Sequence, residues 1–182
     1  MGRALVVYES MYGNTRAIAE AVAAGLATTL DTETRRVGEV DRQVLSGADL
    51  LVVGAPTHTW GLSRGSTRRS AAQAALKPGS GLTLEPAADG IGVREWLDAL
   101  SSEETLPAAV ACFDTRMKAP LGFSGSAARA TARKLRRRGV HLRVPVAKFF
   151  VDRANRLAPG EQERATTWGK QLGATVARAA VD

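Results

Sequence analysis

Apolar and polar residues are distributed along this chain in two distinct patterns. The first is typical of buried strands. Continuous apolar runs, typical of strands covered on both faces of a parallel sheet, occur at Ala4–Tyr8, Leu50–Gly54 and Ala108–Phe113. Weaker strand patterns lie at Thr32–Val37 and at His141–Val151. Pro145 interrupts the last of these, which favours a sheet edge or a break there. We therefore predict five strands.

Helical periodicity fills the intervals between these strands. Asn14–Thr28 shows it most clearly, because Ile18, Val22 and Leu26 recur every four residues. Further helical patterns cover Asp41–Leu45, Ser66–Ala75, Val93–Leu100, Ser126–Arg138 and Glu161–Ala180. Strands that alternate with helices predict right-handed crossovers and a doubly wound α/β fold. We expect a five-stranded parallel sheet in the order 2-1-3-4-5, with helices on both faces.

The length and the irregular passages fit one domain. A chain of 182 residues suits a single α/β domain, which we assign to residues 1–182. Lys77–Gly90 is rich in proline and glycine, and we expect a mobile surface loop there. No apolar stretch is long enough to span a membrane, and the first residues do not have the pattern of a secretory signal. We therefore expect a cytoplasmic protein.

The composition is basic, with a formal net charge of +7. The densest cationic cluster, Arg133–Arg138, ends a predicted helix, where positive charge favours the helix dipole. No aromatic residue interleaves with it, so a solvated helix end is favoured over a nucleic-acid site, with an acidic partner as the second alternative. Cys112 is the only cysteine and lies in an apolar stretch, which predicts an inert core thiol. The two histidines cannot form a histidine-rich metal site.

One turn carries candidate binding chemistry. Directly after the first strand and at the start of a helix stand Ser10, Met11, Tyr12, Gly13, Asn14 and Thr15. Unpaired backbone N–H groups at a helix start, together with the helix dipole, favour an anion, and the short polar side chains add donors. The turn itself contains no Lys or Arg, so it suits a phosphate held by hydrogen bonds. An ordinary capped helix start is the alternative. NTPase P-loop and dinucleotide-binding motifs are absent from the sequence.

Two further segments follow strands that end at the same edge of the sheet. The first contains Pro56, Thr57, His58, Thr59, Trp60 and Gly61, and the second contains Asp114, Thr115, Arg116 and Met117. Ligands of open α/β sheets bind beyond the carboxyl ends of the strands. An anion-binding turn flanked by two polar loops, one of them bearing an aromatic residue, suits a phosphorylated planar ring.

These residues resemble the flavodoxin-like family over nearly the whole chain. Ser10, Gly13 and Thr15 match its phosphate turn, and Gly-Ala-Pro-Thr after strand three matches its second loop. The resemblance implies that FMN is the cofactor and that Ser10–Thr15 take its phosphate. It also implies that Pro56–Gly61 and Asp114–Met117 bracket the isoalloxazine, with Trp60 packed on the ring. The Ser-Met-Tyr-Gly form of the turn is similar to that of the flavodoxin-like NAD(P)H:quinone reductases, whose glycine-rich loop after strand four is missing here.

Three functions are open at this point. The first is an electron carrier that uses bound FMN and serves a redox partner protein, for which the basic charge favours an acidic partner. The second is an FMN-dependent NAD(P)H:quinone-type oxidoreductase, and the third is an interaction module with weak or no FMN binding. Gly61-Leu62-Ser63-Arg64-Gly65 fits the nucleophile elbow of hydrolases, but Ser63 comes too long after the third strand for that sharp turn.

Overall fold

The structure is a computed structural model that describes residues 2–101, 106–118, 125–140, 142 and 144–179. Its strands are β1 (Arg3–Tyr8), β2 (Asp31–Arg36), β3 (Leu50–Pro56), β4 (Ala109–Met117) and β5 (Ala147–Val151). Its α-helices are α1 (Asn14–Leu26), α2 (Arg42–Ser46), α3 (Gly65–Ala75), α4 (Val93–Ala99), α5 (Ala127–Arg137) and α6 (Glu161–Ala179). No helix in the described ranges is both long and apolar enough to cross a membrane.

All five strands form one parallel sheet in the order β2-β1-β3-β4-β5. Ala4 of β1 lies opposite Thr32 of β2 on one side and Leu50 of β3 on the other. The predicted order 2-1-3-4-5 is therefore confirmed. The sheet order reverses at β1, so the carboxyl ends of β1 and β3 flank the crevice in which such folds bind ligands.

Each face of the sheet has its own apolar core. Alternate residues of β1 point to opposite faces: Leu5 and Val7 pack with α4 and α5, whereas Ala4 and Val6 pack with α1 and α6. Cys112 is fully buried in the first of these cores, and burial raises the pKa of its thiol. This confirms the prediction of an inert core cysteine.

The fourth strand is longer than the sequence predicts. Its apolar run ends at Phe113, but the strand continues through Met117, because Phe113–Met117 pair with Ala147–Val151 of β5. The predicted loop Asp114–Met117 is therefore strand. The fifth strand begins only at Ala147, beyond Pro145, and the predicted start at His141 lies outside the described residues. A ring without a backbone N–H explains why Pro145 stays out of the ladder.

Helices α1 and α6 approach each other closely at two glycines. A Cβ atom on Gly25 would collide with the carbonyl oxygen of Thr166, and one on Gly169 would collide with that of Val22. Only glycine permits this backbone-to-backbone contact. The two helices therefore form one tightly packed pair on their face of the sheet.

Candidate functional site

A cavity of about 390 Å³ lies beyond the carboxyl ends of β1, β3 and β4. We call it the strand-end cavity. Among the predicted residues its walls contain Ser10, Met11, Tyr12, Asn14, Thr15, Pro56, Thr57, His58, Thr59, Thr115, Arg116 and Met117. Ala71, Val151 and Asn155 complete the lining. All three predicted segments therefore meet in one place, and the cavity is large enough for a small-molecule ligand.

The turn before α1 has the geometry of an anion site. Gly13 has a φ of 91°, a left-handed conformation that residues with a Cβ adopt at a cost. Its N–H donates to Ser10 Oγ at 3.1 Å, which closes the turn. The first helical bond runs from Ala17 N to Gly13 O. The N–H groups of Asn14, Thr15 and Arg16 therefore have no intrahelical partner, and the positive end of the helix dipole lies here.

Side chains of this turn connect it to the surrounding elements. The hydroxyl oxygens of Thr15 and Thr115 are 2.7 Å apart, so one donates to the other, and both residues are buried. Tyr12 donates its hydroxyl hydrogen to the carbonyl oxygen of Ala71 in α3 at 2.7 Å. Asn14 Nδ2 donates to the carbonyl oxygen of Asn155 at 2.8 Å. The turn is therefore fixed to β4, to α3 and to the segment before α6.

Asn155 adds a polar group that sequence reasoning missed. Its backbone is left-handed, with φ of 57°, a conformation that asparagine tolerates better than most residues. Its side-chain Nδ2 is buried and has no hydrogen-bond partner among the residues that the structure describes. A buried N–H group without an acceptor is costly, and a ligand oxygen in the cavity would satisfy it.

The segment after β3 is a tight turn held by backbone hydrogen bonds. Thr57 N donates to Thr115 O at 2.8 Å, and His58 and Gly61 exchange two backbone hydrogen bonds of 2.9 and 3.0 Å. Thr59 lies at its tip with a φ of 53°. Burial lowers the pKa of His58, and the positive charge of Arg68 lowers it further. The imidazole is therefore neutral at neutral pH.

Four predicted residues do not line the strand-end cavity. Gly13 contributes its left-handed backbone to the turn before α1, and Gly61 closes the turn after β3 by pairing with His58. Trp60 is 66% exposed and lines a neighbouring cavity, so its stacking on a flavin ring stays a prediction. Asp114 is fully buried and faces the start of α5, where it accepts from Ser126 Oγ and Ala128 N.

Asp114 is the centre of a buried polar network. Its carboxylate accepts hydrogen bonds from Arg116 Nε at 2.8 Å, Ser126 Oγ at 2.6 Å and Ala128 N at 3.0 Å. Arg116 also donates to the carbonyl oxygen of Gly125 at 3.0 Å. The charge of Arg116 at the cavity wall is therefore matched by a carboxylate, and the pair joins β4 to the start of α5.

Residues 77–90, for which the sequence predicted a mobile surface loop, contact the turn Ser10–Thr15. Glu85 N donates to the carbonyl oxygen of Met11 at 2.9 Å. Glu85 is 8% exposed, and its carboxylate pairs with Arg16 Nε at 2.6 Å and, more distantly, with Arg36. Glu85 is the acceptor nearest to the Cβ position of Gly13. A buried carboxylate thus stands beside the anion site, a feature that nothing in its local sequence indicates.

Ser63 has no access to a substrate. It is fully buried, and its Oγ accepts from Arg68 Nη1 at 2.8 Å, which also bonds Glu95 Oε2 at 3.1 Å. Beside this group Glu9 Oε2 accepts from Val93 N at 2.8 Å. Burial raises the pKa of Glu9, although the hydrogen bonds from Ser63 and Val93 oppose this shift. The geometry is that of a structural network and not of a nucleophile elbow.

The basic cluster at the end of α5 is solvated, as predicted. Arg133, Arg136 and Arg137 are exposed, and Lys134 pairs with Asp98 across the surface. Within the described residues no group of His, Cys, Asp and Glu side chains could hold a metal ion.

Comparisons with known proteins agree with this geometry. The sequence model of the flavodoxin family, described as "Flavodoxin", matches residues 6–96, which is half of the chain. A flavodoxin from Aquifex aeolicus is 39% identical over 70 residues, a stretch that spans 35% of this chain and 38% of that relative. The matched stretch thus covers well under two thirds of the curated relative.

Solved structures share the whole fold at low sequence identity. A flavodoxin from the domain Archaea superposes with a TM-score of 0.65 at 20% identity, covering 96% of this chain and 99% of its own. A WrbA-like flavodoxin protein from Agrobacterium tumefaciens gives a TM-score of 0.59 at 19% identity, covering 98% and 99%. The family match and the sheet order 2-1-3-4-5 lead to the same conclusion: this chain belongs to the flavodoxin family.

Proposed function

We propose that the chain binds FMN in the strand-end cavity and acts as an electron carrier between redox partners. The observation that carries this proposal is the position of the turn Ser10–Thr15, which lies at the start of α1 and lines the same cavity as the segments after β3 and in β4. Flavodoxins bind flavin, usually FMN, and the residues at hand fit its phosphate and ring. The unpartnered Nδ2 of Asn155 supports the fit, since it is a donor that lacks an acceptor.

The phosphate would be held by neutral donors. Arg116 is the cation in the lining, and Asp114 already balances its charge. Arg16 pairs with Glu85 and Glu20 outside the cavity. The backbone N–H groups of the first turn of α1 and the Ser10 hydroxyl are therefore the main phosphate donors, reinforced by the helix dipole.

The ring end of the ligand would lie between the turn after β3 and the end of β4. Bound FMN supplies the redox chemistry, because it accepts and donates one or two electrons. The chain positions it: Thr57–Thr59, in the turn after β3, form one wall, and Met117, which is 59% exposed, forms another. Neutral His58 can offer one donor and one acceptor there without adding charge.

An acidic redox partner protein suits this carrier. The net charge of +7 would steer the approach of an acidic surface and accelerate its encounter. The alternatives from the sequence are a reductase that takes electrons from NAD(P)H and passes them to a quinone, and an interaction module without FMN.

The test starts from an FMN titration of the purified protein, followed by flavin fluorescence. Gly13→Ala should weaken binding, because alanine is strained at a φ of 91°. Gly139→Ala is the matched control, since Gly139 has a φ of 78° with open space around it and lies outside the cavity lining. Equal affinities in both variants would contradict the site.

A second measurement separates the three functions. The FMN-loaded protein is mixed with NADPH and a soluble quinone, and NADPH absorbance is followed. We expect negligible steady turnover for a carrier. Sustained NADPH oxidation would replace the carrier with the reductase, and failure to load FMN at all would leave the interaction module.

A further inference from the structure

A second cavity, of about 430 Å³, adjoins the strand-end cavity through His58 and Thr59. We call it the arginine cavity, because Arg64, Arg94 and Arg133 line it. The three arginines come from three separate places: the residue before α3, helix α4 and helix α5. The fold therefore brings together charges that are far apart along the chain.

Among the residues that the structure describes, no carboxylate compensates the positive charge of this cavity. No Asp or Glu lines it, and none of its three arginines forms an ion pair within the described ranges of the chain. Arg94 donates from Nε to Ser63 O at 2.9 Å and from Nη2 to Leu62 O at 2.7 Å. Its guanidinium is thus held in place by neutral acceptors. Like charges repel, so a bound anion with several negative charges would offset the repulsion between the three arginines.

The rest of the lining fits the same kind of ligand. Ser66 and Thr67, in the first turn of α3, place the positive end of that helix dipole at the cavity. Arginine binds phosphate oxygens with paired N–H donors, and three arginines suit a diphosphate better than a single carboxylate. Trp60 borders the cavity with 66% of its surface exposed, a flat aromatic face on which a planar base can stack.

We propose that the arginine cavity binds the phosphate groups of a nucleotide whose base stacks on Trp60. The nucleotide then lies beside the strand-end cavity, since the two cavities share His58 and Thr59. The inference does not rest on FMN binding, because none of the three arginines lines the strand-end cavity.

ADP is the probe, titrated by calorimetry at low salt, with adenosine as its uncharged counterpart. We expect one ADP per chain, and adenosine to bind at least about tenfold more weakly because it lacks the charged acceptors. The double variant Arg64→Gln/Arg133→Gln should lower ADP affinity at least about tenfold. Arg137→Gln is the control, since Arg137 is an exposed arginine of α5 outside the cavity lining, and it should keep the wild-type affinity.

Trp60→Ala tests the base. It should weaken ADP severalfold and leave the affinity for inorganic pyrophosphate unchanged, because pyrophosphate has no base to stack. If Trp60→Ala weakens FMN and not ADP, Trp60 serves the flavin and the stacking part of the proposal is wrong.

Gly13→Ala separates this site from the phosphate turn. ADP affinity should not change in that variant, whether or not FMN can be loaded. Loss of ADP binding in Gly13→Ala would show that ADP occupies the strand-end cavity, and it would overturn the proposal. Absence of ADP binding to the wild type, or equal affinities in the double variant and Arg137→Gln, would also overturn it.

Discussion

Arg16 Nε lies 2.6 Å from the carboxylate of Glu85, directly outside the turn proposed to hold the phosphate. The pair joins α1 to a passage that is remote in sequence, and it keeps a buried negative charge beside an anion site. A phosphate bound in that turn would be repelled by the Glu85 carboxylate, and Arg16 would reduce this repulsion.

We accordingly expect Glu85→Gln to tighten FMN binding. Removal of one negative charge near the phosphate is worth about 1 kcal/mol, or roughly fivefold in Kd, at low salt. The effect should shrink as salt screens the charges. Glu20→Gln is the matched control, because Glu20 also pairs with Arg16 but at 3.9 Å on the exposed side of α1. Weaker FMN binding in Glu85→Gln would instead assign its carboxylate a role in shaping the turn.

Thr15→Val tests the hydroxyl pair at the start of α1. The substitution keeps the shape of the side chain but removes the oxygen that lies 2.7 Å from Thr115 Oγ1. Thr15 lines the strand-end cavity, and its hydroxyl would add a donor to the proposed phosphate. We therefore expect the free energy of FMN binding to weaken by about 1.5–3 kcal/mol, the range for a hydrogen bond to a charged group. Thr28→Val, just beyond the opposite end of α1, should leave the affinity unchanged. The measurement is fluorescence titration, with thermal unfolding to correct for lost stability.

If Thr15→Val reduced thermal stability and left the FMN affinity of the folded protein intact, the pair would be structural. Its hydroxyls would then connect α1 to β4 without reaching the ligand.

Glu9 should make stability depend on pH. Because burial raises its pKa above 4.5, the folded chain keeps this proton to higher pH than the unfolded chain does. The folded state then binds more protons, so this contribution to stability is complete below pH 4.5 and is lost as the pH rises through the raised value. Arg68 and Glu95 are the charged groups that face it, and they oppose each other.

Glu9→Gln should abolish this loss of stability at rising pH, because the amide oxygen still accepts from Val93 N and the side chain never becomes charged. Urea unfolding across the acidic range would show the difference between wild type and variant growing as pH rises. Glu163→Gln, at an exposed position of α6, should follow the wild type. A constant difference at every pH would contradict the assignment.

Substitution of Asp114 should lower the free energy of unfolding more than substitution of most other charged residues. Asp114→Asn leaves the Arg116 guanidinium, which is only 11% exposed, without its counter-charge, and we expect a loss of about 3 kcal/mol in unfolding free energy. Asp98→Asn breaks the surface pair with Lys134, where Asp98 is 61% exposed, and should cost less than about 1 kcal/mol. Denaturant unfolding measures both, and similar losses in the two variants would contradict the network.

The sequence predicts the parts of this structure that local pattern determines. Leu50–Gly54 reads as a buried strand because both of its faces are covered, and the segments after β1 and β3 follow from where those strands end. Asp114–Met117 are polar, so their strand character depends on pairing with β5, which no local pattern reveals.

The same limit applies within the cavity. Ala71, Glu85 and Asn155 contact the turn before α1 through Tyr12, Met11 and Asn14, and each of these contacts joins segments at least 59 residues apart. Trp60, which follows two residues that line both cavities, lines the neighbouring one, and the backbone pairing of His58 with Gly61 that shapes this turn is not visible in the local sequence.

The glycine contact between α1 and α6 also bears on how the cavity binds. Helix α1 begins at Asn14, and the segment before α6 holds Asn155, whose carbonyl oxygen accepts from the Asn14 side chain. Because Gly25 and Gly169 bring the two helices into backbone contact, both sides of that hydrogen bond rest on a single rigid support. The proposed phosphate end of the cavity would then be preorganised, so that a ligand binding there would lose little of its binding free energy to ordering the protein.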